Sequence, residues 1–360
     1  VGELLSVIKN LWQQTELSDD QLIAELAQLN QQVVGGDNIQ LAGHWLPYRY
    51  HAKSRNIYWC LPAGHATEPF QDETIARYRQ TVLVNQFIAP KTALSSLDIQ
   101  AQSVQPIMPA GFIFHLSRCG STLISGCVSE LDTTCVFSES PVLTEILLDK
   151  TLTESAGRSY LQQLVNLQAS VFPSRPNVIV KWNAWDIFRW GTIRALYPQV
   201  PSVFLVRDPV EILASHQRLA GRHMSGDKAL AHFHSVFFHW DDGDELFGKR
   251  ANVLHGLLCA MHNIFPERHA YLVDYRQLSF QTIATLLYFM GLDLDESSSV
   301  KIQMRMKFNS KNPAQLFLHD KEKQLNLLAS HEQMPHHILT AYNNLLMMTN
   351  NSKEMVINVG

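Results

Sequence analysis

The sequence predicts an α/β protein, a three-layer sandwich in which helices flank a central parallel sheet, preceded by an N-terminal α+β extension. From residue 112 onward, short apolar runs rich in β-branched and aromatic residues alternate with amphipathic stretches. Strands without polar alternation are typical of parallel sheets covered on both faces. With 360 residues, 46% of them hydrophobic and 17% charged, the chain can bury such a core.

The extension comprises residues 1–105. Apolar residues at helical spacing predict helices over 3–34, and aromatic residues among polar ones predict strands over 39–62. Residues 90–110 are rich in Pro, Ser and Gln, which indicates a linker. We therefore predict a boundary after residue 105, between an extension whose role the sequence leaves open and a second domain, 106–360.

The second domain alternates predicted strands and helices. Strands are predicted at 112–114, 135–137, 177–182, 202–206 and 270–275, and helices at 142–170, 185–196, 210–219, 222–240, 251–264, 279–292 and 333–348. Charged residues lie at the C-terminal ends of three of the strands: Glu139 after 135–137, Lys181 near the end of 177–182, and Arg207 after 202–206. The carboxyl ends of strands are where open α/β sheets bind ligands. For Glu139 the alternative is an exposed carboxylate near a helix start, since Pro141 can begin a helix.

The segment from Ser117 to Thr122 lies between the first of these strands and a helical pattern that begins at Leu123. Backbone N–H groups at a helix N-terminus favour an anion. Gly120 permits close approach, Arg118 adds charge, and Ser121 and Thr122 add hydroxyl groups. This pattern predicts a phosphate-binding loop, although a turn that binds nothing is the alternative for so short a match. It lacks the Lys-Ser or Lys-Thr of the nucleoside-triphosphate loop.

Arg118, Gly120, Ser121 and Thr122 resemble the [K/R]-x-G-[S/T]-T loop of sulfotransferases, which holds the 5′-phosphosulfate of 3′-phosphoadenosine 5′-phosphosulfate (PAPS). Arg207-Asp208-Pro209 followed by Ser215 is similar to the family's second motif, which holds the 3′-phosphate. The spacing puts Ser215 about two helical turns beyond Arg207, so that both can contact one phosphate. The alternative is a surface Arg–Asp pair with a buried Ser.

Two weaker similarities extend the match to about residues 106–320. Residues 273–278 and 289–292 resemble a segment whose role in the family is largely structural. A basic loop is predicted from Lys301 to Pro313. Its part near Lys307 to Lys311 lies where family members close a C-terminal loop over the nucleotide, with a solvated charge run as the alternative.

The resemblance implies a P-loop fold and a PAPS-dependent sulfotransferase, which transfers a sulfonate to a hydroxyl or amine and releases adenosine 3′,5′-bisphosphate without a required metal. The implied cofactor-binding residues are Arg118, Cys119, Gly120, Ser121, Thr122, Arg207, Ser215 and Lys311. The implied catalytic residues are Glu139, Arg118 and Lys181, with the two cations near the phosphosulfate.

Some members of the family use a histidine as the general base, in a K-x-H motif. This chain differs from them, because it has Lys181-Trp182-Asn183 at that place. Glu139, 21 residues after Arg118, resembles the glutamate-base members, provided that partial burial raises its pKa. His115 and His216 are the alternatives. Cys119 stands where many relatives have serine, and we expect it to be a simple replacement for that serine. The alternative is that its thiolate is stabilised and reactive.

Composition limits the partners and the compartment. A net charge of −4 and a pI near 6.5 argue against nucleic acid. Five cysteines without a CxxC pair indicate reduced thiols, and we find no signal peptide or membrane span, so a cytoplasmic location is expected. The expected acceptor is a small molecule, peptide or sugar. The rival hypotheses are an NTP-dependent P-loop kinase and a catalytically inactive nucleotide-binding scaffold.

Overall fold

The computed structural model describes residues 2–11, 13, 15–35, 40–237, 246–265, 267–309, 312–316 and 334–357. The N-terminal part combines helices with a small antiparallel sheet of order β1-β2-β3. Its elements are α1 (Gly2–Leu11), α2 (Asp19–Gly35), β1 (Leu46–His51), β2 (Asn56–Cys60), α3 (Gln71–Thr81), α4 (Val84–Phe87), β3 (Lys91–Ala93) and α5 (Leu97–Gln102).

The rest of the described chain alternates strands and helices. Its elements are β4 (Gly111–His115), α6 (Ser121–Ser129), β5 (Thr134–Ser138), α7 (Pro141–Leu148), α8 (Glu154–Ser170), β6 (Asn177–Lys181), α9 (Trp190–Leu196), β7 (Ser202–Val206), α10 (Pro209–Arg218), α11 (Lys228–Ala231), α12 (Leu246–Ile264), β8 (Ala270–Asp274), α13 (Phe280–Phe289), α14 (Glu296–Arg305), β9 (Phe308–Asn309), β10 (Asn312–Leu316) and α15 (His336–Ile357). Short 3₁₀ helices cover Leu94–Ser96, Ala184–Arg189, Arg222–Met224, Ser235–Phe237 and Tyr275–Gln277.

The central sheet has five strands in the order β5-β6-β4-β7-β8, and every pairing is parallel. The register places Ile113 of β4 opposite Lys181 of β6 on one side and opposite Val203 of β7 on the other. All the strand C-termini therefore meet along one edge of the sheet. The chain order steps from one side of β4 to the other, so the loop after β4 lies where ligands bind in open α/β sheets.

Both faces of the sheet are covered by apolar clusters. Phe112 and Phe114 belong to a large cluster on one face, whereas Ile113 belongs to a second cluster with α6 and α13 on the other. Alternate residues of a strand point to opposite faces, and here both faces are apolar. The predicted α/β fold class, a parallel sheet between two helical layers, is confirmed.

The extension shares the larger of these clusters. Trp59 and Leu97, both almost completely buried, pack in the same cluster as Phe112 and Phe114. The prediction of a linker over 90–110 is wrong for much of its length, because β3 and α5 lie within it and Leu97 anchors α5. The boundary after residue 105 stays a prediction.

The helix predicted over 222–240 is also wrong. That part of the described chain holds two 3₁₀ turns and α11, and Gly226 interrupts it with a φ of 74°. A glycine in the left-handed conformation cannot continue a right-handed helix, so the helical spacing of apolar residues in this segment does not correspond to one continuous helix.

Candidate active site

The loop between β4 and α6, residues 116–120, is the centre of the site. Ser117, Arg118 and Gly120 all have left-handed backbone, with φ of 68°, 53° and 85°. The loop ends at the N-cap of α6, where the first N–H groups have no carbonyl partner within the helix. Gly120 is favoured by its φ, and a Cβ there would also require the Leu278 side chain to move. The backbone suits an anion, while phosphate binding itself stays a prediction.

Glu139, Lys181 and His115 meet beside this loop, at the ends of three neighbouring strands. Lys181 Nζ lies 2.8 Å from Glu139 Oε1 and 3.3 Å from Thr122 Oγ1. His115 Nε2 lies 3.3 Å from the same Glu139 oxygen. Because His115 Nδ1 accepts the Ser117 N–H at 2.9 Å, the neutral ring carries its proton on Nε2, facing Glu139.

The environment of Glu139 keeps its carboxylate ionised. Burial by itself raises the pKa of Glu139, but the Lys181 ammonium and the His115 hydrogen bond outweigh burial and lower the pKa well below its usual range. A general base that works near neutral pH needs a raised pKa, whereas this arrangement lowers the pKa of Glu139. Glu139 also has a φ of 55°, a conformation that costs a non-glycine residue free energy and is concentrated at functional sites.

Arg118 and Arg207 brace the loop. Arg118 Nη2 donates to the Leu219 carbonyl oxygen at 2.5 Å, so its side chain crosses to the end of α10. Arg207 Nη1 donates to the Arg118 carbonyl oxygen at 2.9 Å, and its guanidinium lies 4.1 Å from the centre of the Tyr275 ring. The same guanidinium pairs with Glu211 one helical turn further on. Both predicted phosphate-binding arginines thus adjoin the loop, each with a protein partner.

The other predicted cofactor-binding residues differ in position. Ser121 and Thr122 occupy the first turn of α6 and are 5% and 6% exposed. Ser215 is half-buried on α10, the helix that follows Arg207. Cys119 is completely buried, and burial raises the pKa of its thiol to about 12, so the alternative of a stabilised thiolate is wrong. Lys311 lies outside the described residues.

The predicted basic loop is wrong for its first two residues. Lys301 and Arg305 lie on α14, where they pair with Asp132 at 2.9 Å and with Glu130 at 2.7 Å. These acidic residues follow the C-terminal end of α6, whereas the predicted phosphate-binding loop precedes its N-terminal end. The two cations thus hold α14 against α6 away from the candidate anion site.

Asn183 has a structural role where the histidine-base members have their base. Its Nδ2 donates to Thr144 Oγ1 at 2.7 Å, and its backbone N–H donates to Asp186 Oδ2 at 2.9 Å. Together Asn183 and Asp186 form a reciprocal cap on the 3₁₀ helix that follows Lys181. Asp186 is fully buried, and burial raises the pKa of its carboxyl to about 7.

His223 is a buried histidine near the site, one of several histidines that the sequence places between residues 222 and 240. Its ring lies 5.4 Å from that of His216 and 5.7 Å from that of Trp185. Neither ring nitrogen has a hydrogen-bond partner among the described residues, and the side chain is 4% exposed. Burial, with help from His216, lowers the pKa of His223 to about 3, so the ring is neutral at physiological pH.

Two aromatic residues complete the surroundings. The Phe70 ring centre lies 4.9 Å from Lys181 Nζ, and Tyr275 packs between Arg207 and the space that a Cβ at Gly120 would enter. Tyr275 directly follows β8, whereas the sequence predicted it as the last residue of the strand 270–275. Nothing in the sequence connects Phe70 with Lys181, 111 residues later.

The part of the chain that the structure describes holds neither a metal cluster nor a membrane-spanning helix. Within it, no three His, Cys, Asp or Glu side chains are grouped so that they could bind a metal ion. None of the helices there is both long and apolar enough to cross a membrane.

Comparisons with known proteins give distant structural similarities. No protein-family model and no curated protein matches the chain. The sulfotransferase domain from the curacin biosynthetic pathway is 13% identical, with a TM-score of 0.41, over 67% of this chain and 98% of that domain. A sulfotransferase from Mycobacterium tuberculosis is 13% identical, with a TM-score of 0.40, over 84% of this chain and 92% of its own. A mouse sulfotransferase complexed with PAP is 13% identical, with a TM-score of 0.35, over 70% of this chain and 86% of its own. Since similarities this distant carry no argument about activity, an activity has to be inferred from the residues of the site.

Proposed function

We propose that the protein is a PAPS-dependent sulfotransferase, which transfers a sulfonate to a hydroxyl or amine of an acceptor and releases adenosine 3′,5′-bisphosphate. One observation carries the proposal. The Thr122 hydroxyl at the start of α6 lies 3.3 Å from the Lys181 ammonium, which is itself 2.8 Å from the Glu139 carboxylate. A candidate anion site and a candidate base are thus joined by one buried cation.

The residues divide the work between charge stabilisation and proton transfer. Sulfonate transfer leaves negative charge on the departing phosphate oxygen, and preorganised donors stabilise such charge. We assign the loop amides and Arg118 to that oxygen, where Arg118 has to exchange its present partner, the Leu219 carbonyl oxygen, and we assign Lys181 to the transferred sulfonate. No metal is needed in this scheme, because these groups supply the positive charge.

Glu139 is the proposed base, and its lowered pKa is part of the scheme. An anion held by the loop competes with Glu139 for the Lys181 ammonium and adds negative charge nearby. Both effects raise the pKa of Glu139, since like charge and loss of a cation favour the protonated carboxyl. The carboxylate thereby becomes a stronger base only when the donor is bound.

Arg207 and Ser215 are the proposed ligands of the 3′-phosphate. Arg207 now pairs with Glu211, so the phosphate has to share or replace that carboxylate at the guanidinium. Stacking on Tyr275 keeps the guanidinium in position during the exchange.

The test is calorimetric binding of adenosine 3′,5′-bisphosphate, compared with ATP–magnesium. We expect the bisphosphate to bind preferentially, and Arg207→Ala to weaken it roughly 10- to 100-fold, as loss of charged hydrogen bonds implies. Arg158→Ala is the matched control, because Arg158 also pairs with a glutamate one turn away, on the exposed side of α8. Preference for ATP–magnesium would support the kinase hypothesis instead, and binding of neither nucleotide would support the scaffold hypothesis.

A second measurement separates binding from catalysis. With an acceptor identified by screening, Glu139→Gln is expected to lower turnover about 100-fold or more, the usual loss when a general base is removed. Its affinity for adenosine 3′,5′-bisphosphate should stay within about threefold, because Glu139 contacts Lys181 and not the loop amides. Undiminished turnover in Glu139→Gln would exclude Glu139 as the base.

A further inference from the structure

The extension reaches the candidate site through two consecutive residues, Pro69 and Phe70. The Pro69 carbonyl oxygen accepts the Ser138 hydroxyl at 2.7 Å, and Ser138 immediately precedes Glu139. The Phe70 ring lies over the Lys181 ammonium, 4.9 Å from Nζ to the ring centre. These residues are not part of either sequence motif. They bring the N-terminal part of the chain against the buried lysine of the candidate site.

The segment that carries Phe70 is held in place. The Phe70 carbonyl oxygen accepts the N–H groups of Glu73 and Thr74 and so starts α3. The next residue, Gln71, is buried and lies 3.5 Å from the amide nitrogen of Gln168 on α8. Phe70 is therefore fixed at the N-cap position of α3 by backbone hydrogen bonds, with little freedom to move away from Lys181.

Lys181 has three kinds of neighbour at its ammonium group. The Glu139 carboxylate and the Thr122 hydroxyl approach Nζ, and the Phe70 ring covers it. An aromatic face attracts a cation, and the attraction is stronger when the cation is desolvated, as it is for the fully buried Lys181. The ring also excludes water from that side of the ammonium.

We infer that Phe70 is a positioning residue for Lys181, and that the extension thereby completes the active site. Its ring holds the ammonium between the loop helix and Glu139, where it faces the sulfonate of the donor. The inference rests on the proposed function, because it assigns the sulfonate to Lys181. It also gives the extension a definite task, which is to form one wall of the donor's reactive end.

The test compares two nucleotides that differ only by the sulfonate. We expect Phe70→Leu to weaken PAPS binding about 3- to 10-fold in calorimetry, which corresponds to the usual strength of a cation–π contact. Binding of adenosine 3′,5′-bisphosphate should change less than twofold, because that ligand has no group at Lys181. Phe70→Tyr keeps the aromatic face and should retain the affinity of the unaltered protein for PAPS.

Phe188→Leu is the matched control, since Phe188 is a partly buried aromatic residue that stacks on His234 instead. Equal losses for both nucleotides in Phe70→Leu, or an equal loss in Phe70→Tyr, would overturn the inference and leave Phe70 a packing residue. If the unaltered protein binds neither nucleotide, the proposed function itself fails and the inference fails with it. That result differs from the first, in which both nucleotides bind.

Discussion

At the scale of single residues, burial has a larger effect on the pKa of the Cys119 thiol than the nearby helix N-terminus does. The thiol lies beside Arg118 at the start of α6, a position that favours a thiolate. It is nevertheless packed in an apolar cluster, where burial raises its pKa to about 12. We expect N-ethylmaleimide at pH 7.5 to leave Cys119 unmodified in the folded protein, as judged by peptide mass spectrometry.

Cys259 provides the internal control for that experiment. It is the one cysteine of the five that is only partly buried, so it should react first. After unfolding in guanidinium, all five thiols should react. Labelling of Cys119 as fast as Cys259 in the native protein would contradict the conclusion that burial protects the Cys119 thiol.

His223 yields a prediction about acid stability. Its pKa is about 3 in the folded protein and about 6.5 in an unfolded chain, so the unfolded state binds more protons between these values. The contribution of His223 to the free energy of unfolding must therefore fall as the pH drops from about 6.5 towards 3. His223→Gln should make this fall less steep by about 1 kcal/mol per pH unit, measured by urea unfolding between pH 6.5 and 4.5.

The slope and not the absolute stability is the relevant quantity, because the substitution also alters packing. His44→Gln, at a histidine outside the buried core, should leave the slope unchanged. A slope in His223→Gln equal to that of the unaltered protein would mean that His223 is protonated in the folded state.

Individual side-chain roles were predictable only in part. Gly120 and the strand-end charges could be found because strand, loop and helix patterns are local. The ion pair of Glu139 with Lys181, which reverses the expected pKa shift, could not be found, because it depends on strand order and register. Burial of Cys119 likewise depends on α13 and the rest of its cluster, which local sequence does not reveal.

At the scale of elements, Gly120 and Gly157 form a matched pair. Gly120 has a φ of 85°, and a Cβ there would lie 2.4 Å from Leu278 Cδ1. Gly157 lies in the first turns of α8 and has nothing within 4 Å of the Cβ position. Gly120→Ala should lower the free energy of unfolding by about 1–3 kcal/mol, whereas Gly157→Ala should raise it by about 0.5–1 kcal/mol.

Both variants can be compared by urea unfolding, followed by nucleotide calorimetry. Because Gly120 shapes the loop and Gly157 does not, only Gly120→Ala should also weaken nucleotide binding. Equal stability of the two variants would mean that the loop relaxes freely, which would argue against a rigid anion site.

The boundaries of helices and strands were predicted accurately where the local sequence pattern is strong. The apolar strands β4, β6 and β7 were predicted well, since their β-branched and aromatic runs end at polar loops. The linker and the helix over 222–240 were wrong for opposite reasons: buried leucines suffice to anchor the short segment around α5, and one left-handed glycine suffices to interrupt a helical pattern. Such features are decided by tertiary contacts, which composition does not report.

At the scale of the whole molecule, the extension and the rest of the chain are tied by buried and partly buried polar contacts as well as by the shared apolar cluster. Gln168 of α8 donates to the Pro47 carbonyl oxygen at 2.9 Å, and the Tyr50 hydroxyl donates to Asp149 at 2.6 Å. Glu145 of α7 accepts from Arg49 at 2.8 Å. The sequence predicted a boundary after residue 105 and did not reveal these contacts, because they join positions about a hundred residues apart.

These contacts lead to a prediction about truncation. Removal of residues 1–105 would uncover the face of the sheet that Trp59 and Leu97 cover, and would leave the Gln168 amide without its Pro47 partner. We therefore expect the fragment 106–360 to lack a cooperative thermal transition in circular dichroism, whereas the full chain unfolds in a single one. Tyr50→Phe, which removes only the hydrogen bond to Asp149, should lower the midpoint of that single transition without splitting it. A fragment that melts cooperatively near the temperature of the full chain would show instead that the extension is an independent appendage, and Phe70 would then be a removable part of the site.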